Sequence, residues 1–417
     1  MKEVAKLGET VEKRWRSKNY SENTFPEICA DALEEAELPK KLSAYDVLKW
    51  VIQTTYLPEQ RDLAAKFGDP PITIYNSPRF HIDVYFWLDG TTSIHQHSFC
   101  GAFQVFHGSS IHTTYEFELE ESINVFTELG KIKLVDCELL KANDIRKILP
   151  GRSFIHSLFH LDQPSATIVI RTTRSPLCLP QYDYRKPNLA IDPFFDEPNI
   201  TRKTQVISTL LRLDLAENVK IISEMLKNSD FQTSYFILST IKSHIDNNRF
   251  NKIFGRGKEL FKELVELVQR KHGTVANSLP EIFHYQERIQ EITRRRSFVV
   301  DNELRFFLAL LMNVEGKQRI FQLVKERFPN TDPVEKILDW VDQLASTKVL
   351  DFNLSNALGI SDFSPVDLVI LESLLRDFDG KQESQLFEDY GVNLQGEQIS
   401  SRKRKLQENV IFEPLLA

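Results

Sequence analysis

The stretch Gly90-Thr91-Thr92-Ser93-Ile94-His95-Gln96-His97 decides the reading of this chain. On a β-strand residues i and i+2 point to one face, so His95 and His97 project together while Ile94 and Gln96 face the other way. Asp89-Gly90 ahead of the stretch supplies a turn, and His107-Gly108 marks the next one. The spacing therefore predicts that residues 102–106 return beside the histidine strand. A third ligand has to come from a later strand. His156 follows the Pro150-Gly151 turn, with Phe154 and Leu158 on its own face; His160 shares that parity and is the alternative. Two imidazoles side by side and a third on another strand form a ligand set for one metal ion.

Outward from this stretch the period is 2. Ile82, Val84, Phe86 and Leu88 alternate with Asp83, Tyr85 and Trp87. Further strands are predicted at 93–97, 102–106, 111–118, 131–135, 153–159 and 167–172, punctuated by Gly and Pro, which argues for a closed barrel or sandwich. Upstream, helices are predicted at 3–17, 25–37 and 43–56, the last placing Tyr45, Leu48, Val51 and Ile52 on one face. Asp69-Pro70-Pro71 breaks that pattern. Beyond the Pro-rich stretch 176–198 the period returns to 3.6, as in the stripe Leu260, Phe261, Leu264, Leu267 and Val268. Asp332-Pro333-Val334-Glu335 and Ser364-Pro365-Val366-Asp367 both read as helix starts. These patterns give an α+β fold: N-terminal helices over 1–66, a metal-binding barrel over 67–199 and an all-helical domain over 200–417.

Composition sets the class. Of 417 residues, 41% are hydrophobic and 27% charged, the balance of a globular protein, and the net charge is −7. Basic residues are spread along the chain, so no nucleic-acid partner is expected. The one dense basic run, Arg402 to Lys405, reads as a solvated tail. The first residues lack a signal-peptide core, and no stretch approaches the ~20 apolar residues of a membrane span. Cys29, Cys100, Cys137 and Cys178 are unevenly spaced with no CxxC pair. They read as reduced thiols of a cytoplasmic protein without a membrane partner.

At residues 92–98 and at Phe106-His107-Gly108 the sequence resembles the cupin superfamily, and within it the three-histidine thiol dioxygenases of the cysteine and cysteamine dioxygenase types. A second motif of that family resembles Ile155-His156 with Pro164, Ala166, 168–170 and Ser175-Pro176; Phe80 and Trp87 fall near the family's upstream aromatics. The resemblance spans roughly 72–180. It implies a cupin-type β-barrel, Fe(II) on His95, His97 and His156, and O₂ used on a thiol. The departures are informative. Where general cupins carry a ligating Glu the nearest residue is Gln104, and the cross-linking Cys of animal cysteine dioxygenases falls at Ala102. The carboxylate-binding Arg of that family has no aligned equivalent, which points to a larger or carboxylate-free thiol unless Arg79 or Arg171 takes the task from a shifted backbone. Arg79, Arg171 and Gln104 are thus the candidate substrate-binding residues.

Three neutral imidazoles leave the charge of a divalent ion uncompensated, which favours an anionic ligand such as a thiolate. Zinc accepts the same ligands, and only the resemblance points to iron. The expected activity is an Fe(II)-dependent dioxygenase acting with O₂ on a small-molecule or peptide thiol. Two alternatives remain: another metal-dependent cupin enzyme, or a ligand-binding regulatory cupin whose helical domain contacts a partner or a second copy.

Overall fold

Strand alternation sets the architecture in this computed structural model, which describes residues 1–61, 63, 68–88, 90–173, 178–213, 215–247, 256–349 and 355–416. Asp89 of the predicted turn and Ser175-Pro176 of the second motif lie outside the described residues. The strands are β1 (Pro71–Asn76), β2 (Phe80–Trp87), β3 (Gly90–Thr91), β4 (Ile94–His97), β5 (Gly101–His107), β6 (Ser109–Asn124), β7 (Thr127–Lys141), β8 (Ile145–Ile148), β9 (Gly151–His160), β10 (Ser165–Thr172), β11 (Asp183–Arg185) and β12 (Leu189–Ile191). One sheet has the order β1-β2-β10-β5-β8. In the other, β9 pairs antiparallel with β3, β4 and the first half of β6. Phe103, Val105 and Val169 of the first sheet pack with Leu140, Leu158 and Phe154 between the two. The result is a cupin-type barrel with helices before it and only helices, among the described residues, after Pro198.

The apolar side of β2 looks out of the barrel. Phe80, Ile82, Val84 and Phe86 join Ala166, Ile168 and Ile170 of β10 in a core with Val4, Leu7, Val11 and Trp15 of α1 (Lys2–Ser17) and Phe25, Ile28 and Leu33 of α2 (Phe25–Ala36). The alternate residues His81, Asp83, Tyr85 and Trp87 therefore line the inner wall.

Two expectations about local packing are corrected. Strand β5 does not return beside β4; it pairs with β10 and β8 in the other sheet. Gly101 makes this crossing possible, because a Cβ there would sit 1.9 Å from the Ile170 carbonyl oxygen. The helix predicted at 43–56 is the shorter α4 (Ala44–Gln53), following α3 (Leu38–Lys41), and carries a Ser43/Asp46 capping box. It packs through Ala44, Val47, Leu48 and Val51, an i, i+3, i+4, i+7 stripe. Tyr45 and Ile52 fall off that stripe and are 72% and 84% exposed.

The chain divides into two compact units. One comprises 1–116, 133–179 and 287–417; the other comprises 117–132 and 180–286. This division cuts the chain differently from the expected boundary at 199/200, where the period changes. In the first unit Ile111, Cys137, Leu139, Phe159 and Leu161 of the barrel share a core with Leu304, Phe307, Leu311 and Trp340 of the later helices. The Arg296 guanidinium lies 4.8 Å over the Phe159 ring. Both predicted helix starts are present. The Asp332 side chain accepts from the Val334 N–H, and Ser364 and Asp367 form a capping box. The basic run is not a tail: it lies on the helix Gly396–Gln407, where Arg402 pairs with Asp367 at 2.7 Å, Lys403 with Glu383 at 2.5 Å, and Lys405 with Asp362. Fixed carboxylate partners on neighbouring helices hold these cations in place.

In the second unit β12 pairs with β11 and with residues 127–129 of β7. Leu129, Leu189 and Ile191 pack with Ile207, Leu238 and Ile241 of the helices Pro198–Leu213 and Phe231–Asn247. The stripe at 260–268 packs into the same core through Phe261, Leu264 and Val268. Cys29, Cys100 and Cys137 are buried free thiols and Cys178 is a free thiol. No helix among the described residues is long and apolar enough to cross a membrane.

Candidate metal centre

Register brings the three histidines together. Strand β4 runs antiparallel to β9 with His95 opposite His156, and the ladder is irregular between His95 and His97. Gly151, at φ +65°, begins β9 in a left-handed conformation that suits glycine. His95, His97 and His156 are all buried, and their ligand nitrogens lie within 4.8 Å of one another. The His97 and His156 Nε2 atoms are 2.9 Å apart. Two nitrogens at right angles on an octahedral ion would stand about 3 Å apart, so the donor set fits one ion. Among the described residues no carboxylate or thiolate belongs to this cluster.

Tautomers follow from the other ring nitrogens. His95 Nδ1 lies 2.8 Å from the Ser93 carbonyl and donates to it, which leaves a lone pair on Nε2. Burial, then the neighbouring imidazoles, push His97 and His156 well below the usual histidine range. Neutral rings are the form that ligates metal.

His160, the alternative third ligand, is not in this cluster. It stacks on Trp87 (centroids 4.4 Å, planes 12° apart), its Nδ1 lies 3.1 Å from Ser110 Oγ, and burial pushes it down to about 3. Arg171 extends from the inner face of β10. Its guanidinium carbon lies 3.7 Å over the Phe99 ring, and Phe99 packs against His97 at 4.5 Å. It donates to the Tyr85 hydroxyl at 3.3 Å, which in turn donates to the Asp83 carboxylate at 3.2 Å. Burial pushes Asp83 up, but His81 and the Arg171 charge hold it below the usual carboxylate range; the Arg171 Nε has no hydrogen-bond partner. The Tyr85 hydroxyl is raised to about 12, first by burial, so it stays protonated.

The other two candidate substrate residues do not reach this wall. Gln104 alternates with the inward Phe103 and Val105, so it faces outward, donates to the Asn143 carbonyl at 3.3 Å and lines a cavity against α2 with Glu27 and Asp31. Arg79 is exposed at the β1–β2 turn, 4.2 Å over the Tyr20 ring. Strand parity sends Gln104 to the face opposite the histidines, and Arg79 lies on a turn.

Sequence reasoning missed His112. It is buried within β6, its Nε2 lies 3.1 Å from His156 Nδ1, and its Nδ1 lies 2.8 Å from Glu138 Oε1. Arg146 Nε donates to the same carboxylate at 2.7 Å. Burial alone raises the Glu138 carboxyl, but the hydrogen bonds from His112 and Arg146 outweigh it and hold the group at about 2. His81 is likewise interior, 3.2 Å from Asp83, which also accepts from Thr73 at 2.8 Å. The missed signal was parity with Ser110 on a strand whose pairing to β9 is not written in local sequence.

No family model and no curated protein matches the chain. Among solved structures it is similar to a cupin-2 domain protein from Shewanella frigidimarina (12% identity, 25% of this chain and 81% of that one, TM-score 0.17). It is also similar to hydroquinone 1,2-dioxygenase from Sphingomonas sp. TTNP3 (11%, 27% and 72%, TM-score 0.21). A third is KdgF from Halomonas sp. (16%, 29% and 94%, TM-score 0.19). With overlaps of this extent, the cupin-type reading rests on the chain's own strand order and on where β4 and β9 place their histidines.

Proposed function

We propose that this chain is an Fe(II)-dependent dioxygenase that binds iron through His95, His97 and His156 and oxidises a thiol-bearing substrate with O₂. The observation that carries it is a buried set of three histidines whose ligand nitrogens lie within 4.8 Å of one another, beside the inner-wall guanidinium of Arg171. His95, His97 and His156 would hold the iron, which would supply binding and activation of thiol and O₂, and the overall reaction balances as RSH + O₂ giving RSO₂H. Arg171, held flat on Phe99, takes an anionic group of the substrate and so fixes the direction in which the sulfur points. Tyr85 keeps its proton, donates a hydrogen bond to the Asp83 carboxylate and accepts one from Arg171, so it holds the guanidinium in place. Phe99, Phe103 and Phe154, packed on His97 and His156, keep water from the reacting atoms. Asp83, linked to Arg171 through the Tyr85 hydroxyl, meets part of its charge, and the position of the guanidinium against Phe99 beside His97 favours a thiol that carries a carboxylate.

The test is anaerobic metal analysis followed by oxygen uptake with cysteine, 3-mercaptopropionate, cysteamine and a short thiol peptide. Stoichiometric iron is expected, with turnover fastest on carboxylate-bearing thiols. Arg171→Gln is expected to lower kcat/KM for those thiols by roughly 30-fold or more, since losing one partner of a buried charge pair costs ~2–5 kcal/mol. Cysteamine turnover and the Arg79→Ala variant should be unaffected. A fully metallated chain that consumes no O₂ with any thiol would overturn the activity. Cysteamine as best substrate, with Arg171→Gln silent, would overturn the role of Arg171 alone.

A further inference from the structure

The geometry points to His112, Glu138 and Arg146 as positioning residues that fix the tautomer and ring orientation of His156, a role that rests on the metal reading above. The three side chains form one directed chain. An ionised carboxylate only accepts, so His112 turns its Nδ1–H to Glu138. His112 Nε2 is then the acceptor, and His156 must place its own proton on Nδ1, 3.1 Å away. That leaves the lone pair of His156 on Nε2, the atom that faces His97 at 2.9 Å. Arg146 closes the chain by gripping Glu138 through two nitrogens, which keeps the carboxylate aimed at His112. The other tautomer of His156 would break the bond to His112 and cap the ligand atom with hydrogen.

Packing supports the same assignment. His112 projects from β6, which pairs with β9 so that Thr114 lies opposite His156 and His112 lies diagonally across from it. Phe154 and Phe103 flank the His112 ring at 6.0 and 5.8 Å, so the ring is held on both sides rather than only by its hydrogen bonds. Of the three cluster histidines, His95 is oriented by a backbone carbonyl within its own turn, whereas His156 is oriented by side chains from β6, β7 and β8. The ligand contributed by β9 is thus the one that depends on residues distant in sequence.

The experiment uses the full-length chain and Co(II) alone as the metal, with binding followed by the Co(II) absorption band and the metal-free chain followed by thermal melting. Partners that orient a ligating histidine are typically worth 10–100-fold in metal affinity. His112→Ala is expected to weaken Co(II) binding in that range and to shift the absorption band. His112→Gln should recover most of the loss, because its amide oxygen can accept from His156 Nδ1. Glu138→Gln should cost about 10-fold with little change in the melt of the metal-free chain. Wild-type affinity and an unshifted band in both His112→Ala and Glu138→Gln would overturn the positioning role while leaving the metal site in place. A wild-type chain that binds no Co(II) would overturn the metal reading and this role with it.

Discussion

Replacing His95, His97 or His156 by Ala is expected to weaken metal binding by roughly 100- to 1,000-fold while the chain stays folded. The magnitude follows from the ~10–16 kcal/mol typical of four-ligand zinc sites, or about 3 kcal/mol per ligand. The fold survives because the β4–β9 ladder is made by backbone groups and because Phe103, Val105, Leu158 and Val169 hold the interior independently of the rings. His156→Ala also leaves His112 without its partner, so it should be the least stable of the three. A loss of about 1–2 kcal/mol moves Tm by only a few degrees in a chain of this size. Metal content after equilibrium dialysis and a melt of the metal-free chain check both halves of the statement. His160→Ala is the control and should keep its metal, since His160 is engaged with Trp87 and Ser110. Full metal in His156→Ala together with loss in His160→Ala would move the third ligand to His160.

A chain ending at Asn199 is expected to lose its native state. Such a truncation uncovers Ile111, Cys137, Leu139, Phe159 and Leu161, which share their core with the helices beyond residue 290. At ~1.5–3 kcal/mol for each large side chain returned to water, the loss is on the order of 10 kcal/mol. That is comparable to the whole stability of an ordinary domain, ~5–15 kcal/mol. Binding of a hydrophobic dye, aggregation on size exclusion and absence of a cooperative melt are the expected readouts. A monodisperse truncated chain that melts cooperatively and binds metal would show that the barrel owns its core after all.

How much of this was legible in advance differs from residue to residue. The i, i+2 spacing of His95 and His97 put both on one face whatever the rest of the chain did, because strand alternation is a property of the backbone. The same local logic gave the helix starts at Asp332 and Ser364, where cap, proline and acid act within one turn. Parity alone left His156 and His160 equivalent. The register of β9 against β4 separated them, by setting His156 opposite His95 and His160 opposite Gly90.

What the sequence determined by itself was therefore a barrel of alternating strands carrying a histidine pair, between helices of recognisable length. Only the tertiary structure decided which side of each strand is inside, and there the apolar side of β2 went to the N-terminal helices while His81, Asp83 and Tyr85 went inward. It also decided that Arg171 reaches the inner wall and Gln104 does not, that His112 stands behind His156, and that the last helices complete the core of the barrel. The physical reason is common to all of these. Periodicity reports how a segment sorts its own side chains, whereas the partner that receives each face is fixed by pairing register and by competition for apolar area among segments far apart in the chain.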